Sequence, residues 1–394
     1  MTNKNEQRKV PELRFPEFRG EWKENKLKDL TLLIKDGSHG THKDVETGPW
    51  LLSAKNIKNN KINIDNNDRK ISIDDYETIY RNYTLIKNDI LLSIVGTIGR
   101  TALVENEENI AFQRSVAIIR PNKILTSTFL IQLMNGKRFQ KDLKKYQVIS
   151  AQPGIYLGDL NKLSISFPDK NEQQKIGEFF SKLDRQIELE EKKMALLEEQ
   201  KKGYMQKIFS QELRFKDENG EEYPEWEENK LRNCSEYKTS NITIKSLSNE
   251  MSENLFPVYD ANNIVGWSSD FQFNEGYISI IKDGAGAGRI RSLPAYSSIL
   301  GTMGGITPNH KMMHLGFLYL ILERINFGVF TTGSTIPHIY YSDYSRVQIP
   351  LPSKEEQLKI STFFNNIEQQ QNCLKNRIKN LVIQKKELLT KIFV

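Results

Sequence analysis

Apolar side chains recur at steps of four and three along two long stretches of the chain. The first runs through Ile176, Phe180, Leu183, Ile187, Glu190, Met194, Leu197, Lys201, Tyr204 and Ile208. The second runs through Ile360, Phe364, Ile367, Gln371, Leu374, Ile378, Leu381, Lys385, Leu388 and Ile392 in the same register. Alternating four and three is a 3.5-residue period, the seam of a coiled coil. Neither stretch contains Pro, and the 38 residues from Glu172 to Phe209 would span about 57 Å as a helix. A small domain cannot cover so long an apolar edge twice. The two helices are therefore expected to pair with each other, antiparallel because each follows its own globular segment, as a rod with a module at each end.

The pattern repeats because the sequence does. "PDKNEQQKIGEFFSKLDRQI" from Pro168 matches "PSKEEQLKISTFFNNIEQQQ" from Pro352 at nine of twenty positions, at a constant offset of 184. The match extends upstream, from Ser150 to Pro168 against Ser334 to Pro352. "EWKENKL" at Glu21 returns as "EWEENKL" at Glu225, and "ELRF" at Glu12 returns at Glu212. Between these shared blocks, Leu30–Ser150 and Cys234–Gly333 have little in common. Each holds short β-branched runs closed by Gly, Pro or Asn, such as "DILLSIVG", "SVAIIRP", "YISIIKDG" and "YSSILGTMGGI". Each also holds a helical pattern, "TSTFLIQLMNGKRFQKDLKK" and "MMHLGFLYLILERI". The expected fold class is α+β: two mixed α/β modules and two long antiparallel helices in an internal pseudo-two-fold repeat. The expected divisions are an arm over 1–20, a module over 21–168, a helix over 169–210, a linker and module over 211–352 and a helix over 353–394.

Composition narrows the setting. The start is polar rather than signal-like, and no apolar run approaches the ~18 residues of a membrane span. Two cysteines, Cys234 and Cys373, are too few for a disulfide framework. Together these predict a soluble, cytoplasmic protein. The net charge of +6 is uneven, with +5 over residues 21–168 and −1 over 236–352. A polyanion partner needs clustered cations, so charge favours nucleic acid for the first module and leaves the second to local residues.

Candidate chemistry is sparse. "DGAGAGR" at Asp283–Arg289 has a nucleotide-loop spelling, but "IRSLPAYSSI" follows it and cannot start the helix whose N–H groups would hold a phosphate. With "VGTIGR" at Val95–Arg100 it reads instead as a Gly-rich turn presenting an arginine, suited to base edges or phosphates. "HKMMH" at His310–His314 has a two-histidine zinc spacing but Lys311 in place of a catalytic Glu, and no obvious third ligand. "ExK" at Glu24–Lys26 and Glu228–Lys230 reads as solvated charge. No metal site, cofactor loop or catalytic residue is assigned. The DNA-binding candidates are Ser38, His39, Thr41, His42 and Lys43 in the polar loop "DGSHGTHKD", with Arg100, Arg114, Lys282, Arg289 and Arg291.

The ELRFPEFRGEW opening, EWxENKL in both halves, the IY…P exits and the P-x-K-x-E-Q-x-K-I-x-x-F-F helix starts together resemble the specificity subunit of bacterial type I restriction-modification systems, from about Glu12 onward. The resemblance implies two target-recognition domains, each reading half of a bipartite double-stranded DNA sequence. It also implies a coiled coil that sets their spacing and docks two methyltransferase subunits, with restriction subunits in the full complex. It places S-adenosylmethionine, ATP and magnesium in the partner subunits, with no cofactor and no catalysis in this chain. Two other readings remain open at this point: a DNA-modifying enzyme with its own active site, and a coiled-coil scaffold that recognises protein.

Overall fold

The computed structural model describes residues 9–148, 153–333 and 335–394. The first eight residues of the arm, and Ser150 and Ser334 at the starts of the matched exit pieces, lie outside the described residues. The chain divides into two compact units. One comprises the residues up to Lys192 with Lys375–Val394, and the other comprises Lys193–Leu374.

In the first unit the apolar runs make an antiparallel four-stranded sheet with the spatial order Thr31–Asp36, Val116–Pro121, Ile90–Ser93, Thr101–Leu103. Trp50–Leu52 pairs in parallel with Ile110–Phe112 beside it. The expected helix over 126–145 is two helices, Ser127–Asn135 capped by the Thr126 hydroxyl and Lys137–Lys145, separated at Gly136. Phe129, Leu130 and Met134 of the former are fully buried in one cluster with Ile90, Leu92 and Ile119 of the sheet. Each such side chain contributes about 1.5–3 kcal/mol by leaving water.

The second unit has the same plan. Its sheet runs Ser235–Thr239, Met303–Pro308, Tyr277–Ile281, Ile290–Leu293, again antiparallel throughout. Phe256–Tyr259 pairs in parallel with Ser298–Ile299, and the helix Leu315–Arg324 carries His314 as its cap. The inserts that look unrelated as sequences therefore share chain order and strand order. The two modules differ in side chains and loops, on one topology.

The repeated blocks build the frame around each module. Lys23–Lys26 of the first EWxENKL block pairs with Ser164–Phe167, and Glu227–Lys230 of the second pairs with Gln348–Leu351. The E-Q pair at each long-helix start is buried and joins helix to module. Gln173 donates from Nε2 to the carbonyls of Ile124 and Pro168 and accepts from the Thr126 amide. Gln357 does the same with Met312, Pro352 and His314. Arg14 of the first ELRF grips Glu172 through Nε and Nη2 at 2.8 and 2.7 Å, and Arg214 of the second grips Glu356 at 3.3 and 2.9 Å. Hydrogen bonding to these carboxylates raises both arginine pKa values. The amide of Leu13 donates to Lys391 O at 3.0 Å, and that of Leu213 to Lys207 O at 3.1 Å. Each ELRF thus sits on the last turn of a long helix, in one case the helix just before it and in the other the helix that ends the chain.

The long helices run over Lys170–Phe209 and Lys354–Ile392. In the first unit their seam buries Ile176, Phe180 and Ile392 and half-buries Leu183, Ile187, Ile378, Leu381 and Leu388. Lys385, a polar seam position, bridges antiparallel to Asp184, and Arg377 Nε lies 3.3 Å from Glu190. In the second unit Ile208, Ile360, Phe364 and Ile367 are buried and Met194, Leu197 and Leu374 half-buried. There Lys201, the equivalent polar seam position, bonds Glu368 at 2.8 Å and Glu323 of the module at 3.3 Å. Tyr204 departs from its expected interior place. It is 39% exposed because its ring lies edge-on to Phe363 at 5.1 Å, beside Phe215.

The residue 184 positions beyond Tyr204 is Leu388. Where the tyrosine ring packs in one unit, the other has an apolar pocket of about 150 Å³, open to solvent on one side and lined by Leu13, Phe15, Ile176, Phe179, Leu388 and Ile392 among others. Leu388→Tyr should fill it and raise stability by about 0.5–2 kcal/mol. A denaturant midpoint that falls in this variant would show that the surrounding side chains cannot accept the ring.

Candidate nucleic-acid interface

In an antiparallel sheet the end of one strand lies beside the start of the next. One end of the first sheet therefore gathers the loop after Asp36, the residues before Val116, the turn after Ser93 and the residue before Thr101. That single end holds every first-half candidate: Ser38, His39, Thr41, His42, Lys43, Arg100 and Arg114. The same end of the second sheet gathers Lys282 and Arg289, with Arg291 one step inside the strand Ile290–Leu293.

The two Gly-rich turns are equivalent in detail. The Ser93 amide donates to Arg100 O at 2.8 Å and the Gly99 amide to Ser93 O at 2.9 Å; Ile281, Arg289 and Gly288 repeat this at 3.0 and 2.9 Å. The exit pieces hold both turns from outside, with Gly96 donating to Pro153 O and Gly284 to Pro337 O. Gly99 and Gly288 have φ of 90° and 89°. A Cβ there would also lie 2.3 Å from Gln140 Oε1 or 2.4 Å from Phe327 Cβ. The positive φ calls for glycine just before each arginine, and at Gly288 the Phe327 Cβ also leaves no space, whereas the Gln140 tip beside Gly99 can move aside.

The arginines themselves differ. Arg100, Lys43 and Arg114 have no hydrogen-bond or ion-pair partner for their side chains among the described residues. The Arg114 amide is tied to Ser38 O at 2.9 Å, which fixes the base of an exposed side chain. The Lys282 side chain is also without a partner among the described residues, and the residue is half-buried. Arg289 instead donates from Nη2 to Ala261 O and Asn262 Oδ1 at 2.7 and 2.8 Å, and Arg291 from Nη1 to Asn262 O at 2.7 Å. Arg291 also lies over the Tyr259 ring at 5.3 Å. Each of these two ties one nitrogen to the 260–263 turn, a difference the sequence equivalence conceals.

The 37–44 loop is ordered from below. Its second histidine, His42, bridges Ser38 Oγ at 2.6 Å and Asp75 Oδ1 at 3.0 Å, and hydrogen bonding from His42 lowers the Asp75 pKa. Serine, histidine and aspartate in this order are also the parts of a nucleophile relay. Here the Gly40 amide points at Ser38 Oγ itself, at 3.1 Å, so it fixes the loop instead of facing an oxyanion. Arg69 adds bonds to Asp44 and His42 O at 2.6 and 2.7 Å. His39, exposed, pairs with Asp36 at 2.6 Å, and Thr41 is exposed without a role in the loop's bonding. Asp75 and Arg69 were not expected from the sequence, since 33 and 27 residues separate them from His42.

The HKMMH segment is structural. His310 pairs with Glu275 at 2.6 Å, and His314 accepts from the Gly316 amide at Nδ1 as a helix cap. Burial lowers the His314 pKa, in keeping with a neutral ring that accepts.

The family model for the type I restriction modification DNA specificity domain matches residues 20–199 and 223–384, once for each repeat. The chain belongs to this family. As a whole it is similar to a protein described as the MjaX type I restriction enzyme specificity subunit of Methanocaldococcus jannaschii, at 25% identity over 368 residues, 86% of this chain and 85% of that one. The EcoBI specificity subunit of Escherichia coli is 31% identical over 134 residues, 34% of this chain and 28% of its own. The fold is that of the solved S subunit from M. genitalium, with a TM-score of 0.66 at 18% identity over 98% of this chain and 99% of that one. The chain is thus a type I DNA-specificity subunit, a noncatalytic recognition component, built from two copies of the specificity domain. No helix among the described residues is long and apolar enough to cross a membrane.

Proposed function

We propose that each unit applies the loop-bearing end of its four-stranded sheet to one half of a bipartite double-stranded DNA target, while the paired long helices set the spacing between the halves. The helical frame docks two methyltransferase subunits and, in the full complex, restriction subunits. These partners supply adenine methylation and ATP-driven cleavage with S-adenosylmethionine, ATP and magnesium. The observation that carries this reading is one sheet topology, made twice, that offers different polar side chains at the same end. In the first unit Arg114 and Lys43 are exposed and Arg100 half-buried, their side chains all without partners among the described residues, as residues held for a phosphate or a guanine edge would be.

The test is to exchange residues 30–150 for the insert of a relative, in cells carrying the chain with its methyltransferase partner, and to sequence the methylated motif. One half of the motif should change and the other stay as it was. A change in both halves, or a methylated motif that persists when this chain is deleted, would overturn the reading. The isolated chain should transfer no methyl group from S-adenosylmethionine.

A further inference from the structure

The Asp260–Asn263 turn joins the strands Phe256–Tyr259 and Ile264–Ser268 and is held more firmly than an exposed four-residue turn needs. Asp260 Oδ1 accepts from the amides of Asn262 and Asn263 at 2.7 and 2.6 Å, and the Asp260 amide donates to Asn263 O at 3.0 Å. Arg289 and Arg291 reach the same turn from the neighbouring sheet, at Ala261 O, Asn262 O and Asn262 Oδ1. Two arginines that look like base readers hold it, each through a single nitrogen. Asn262 has given its side-chain oxygen to Arg289. Asn263 has its backbone fixed on both sides, yet its side chain is exposed and has no partner among the described residues.

We propose that Asn263 is a specificity-determining residue of the second unit and that Arg289 and Arg291 are its positioning residues. This rests on the reading that the sheet ends face DNA. A free carboxamide offers an acceptor and a donor side by side, the pairing that matches N6 and N7 of adenine in the major groove. Arg289 stands at the loop-bearing end of the second sheet, at the position that Arg100 holds in the first, so the turn it grips belongs to that end. A pre-positioned amide also suits a unit with net charge −1 over residues 236–352, where bulk attraction to phosphates is lacking.

The test uses the full chain with its methyltransferase partner. Binding is measured to duplexes in which each base pair of the second half-site is replaced in turn, for the unaltered chain and for Asn263→Ala, Asn263→Asp and Arg289→Ala. Asn263→Ala should reduce discrimination about 5- to 150-fold at one A·T pair and leave the first half-site unaffected. Asn263→Asp keeps the shape and loses the donor, so it should relax the same pair. Arg289→Ala should relax that pair too, and the double variant Asn263→Ala with Arg289→Ala should add nothing further. Unchanged discrimination in both Asn263 variants would overturn the proposal, as would an Arg289→Ala variant that relaxes a different, G·C pair. If replacing base pairs of the second half-site has no effect even on the unaltered chain, the reading of the sheet ends as DNA-facing has failed instead.

Discussion

Glu356→Ala should destabilise the protein by about 3–5 kcal/mol, because it leaves the guanidinium of Arg214 partly buried without its counter-ion. Glu356 is fully buried. It receives two bonds from Arg214 and one from Trp226 Nε1 at 2.9 Å, so three bonds are lost together, although Arg214 Nη2 keeps the carbonyls of Tyr223 and Pro224. Glu172→Ala in the first unit should cost less. Glu172 receives the same fork from Arg14, but the Trp22 indole N–H is buried without a partner among the described residues, and one bond fewer is lost. Replacing both members of a pair, as in Arg214→Met with Glu356→Leu, should recover most of the loss, since burying two charges is itself costly. Denaturant unfolding of the full chain measures all three. A loss below about 1 kcal/mol for Glu356→Ala would mean that the fork is incidental to the frame.

The same fork shows what the sequence could and could not reveal. ELRF and the E-Q helix start are both visible as repeats, but nothing local says that Arg14 meets Glu172, 158 residues away. The seam was legible because a 3.5-residue period is a local property, and the strands were legible where β-branched runs are closed by turn residues. Strand order was not, because it is decided by pairings between distant runs such as Thr31–Asp36 with Val116–Pro121. That is why two inserts with little sequence in common conceal one topology. The single run YSSILGTMGGI divides into Ser298–Ile299 and Met303–Pro308, since the first part pairs with the small sheet and the second with the large one. For the interface, the Gly-Arg turns were readable from glycine spacing. Whether each arginine is free was not, because Arg289 finds its partner 28 residues upstream at Ala261.

Removing a matched heptad from each long helix should change the recognised target more than any single substitution. In the second unit Lys201 faces Glu368, so Ala195–Lys201 and Glu368–Leu374 are opposing segments of an antiparallel pair. Deleting both preserves the 3.5-residue seam on either side. Each helix shortens by about 10 Å, since each residue rises 1.5 Å. That distance is about three base pairs, and at 10–10.5 base pairs per turn it also rotates one half-site by about 100° relative to the other. The shortened chain should fold, fail on the original target and, if it binds any bipartite sequence, prefer one whose halves lie about three base pairs closer. Deleting Ala195–Lys201 alone should instead leave the seams out of step and destabilise the helical pair, because one heptad of apolar positions then has no counterpart. Selection of bound duplexes from a library with randomised spacer length reads both outcomes. Unchanged spacer preference in the doubly deleted chain would show that the paired helices do not measure the distance between half-sites.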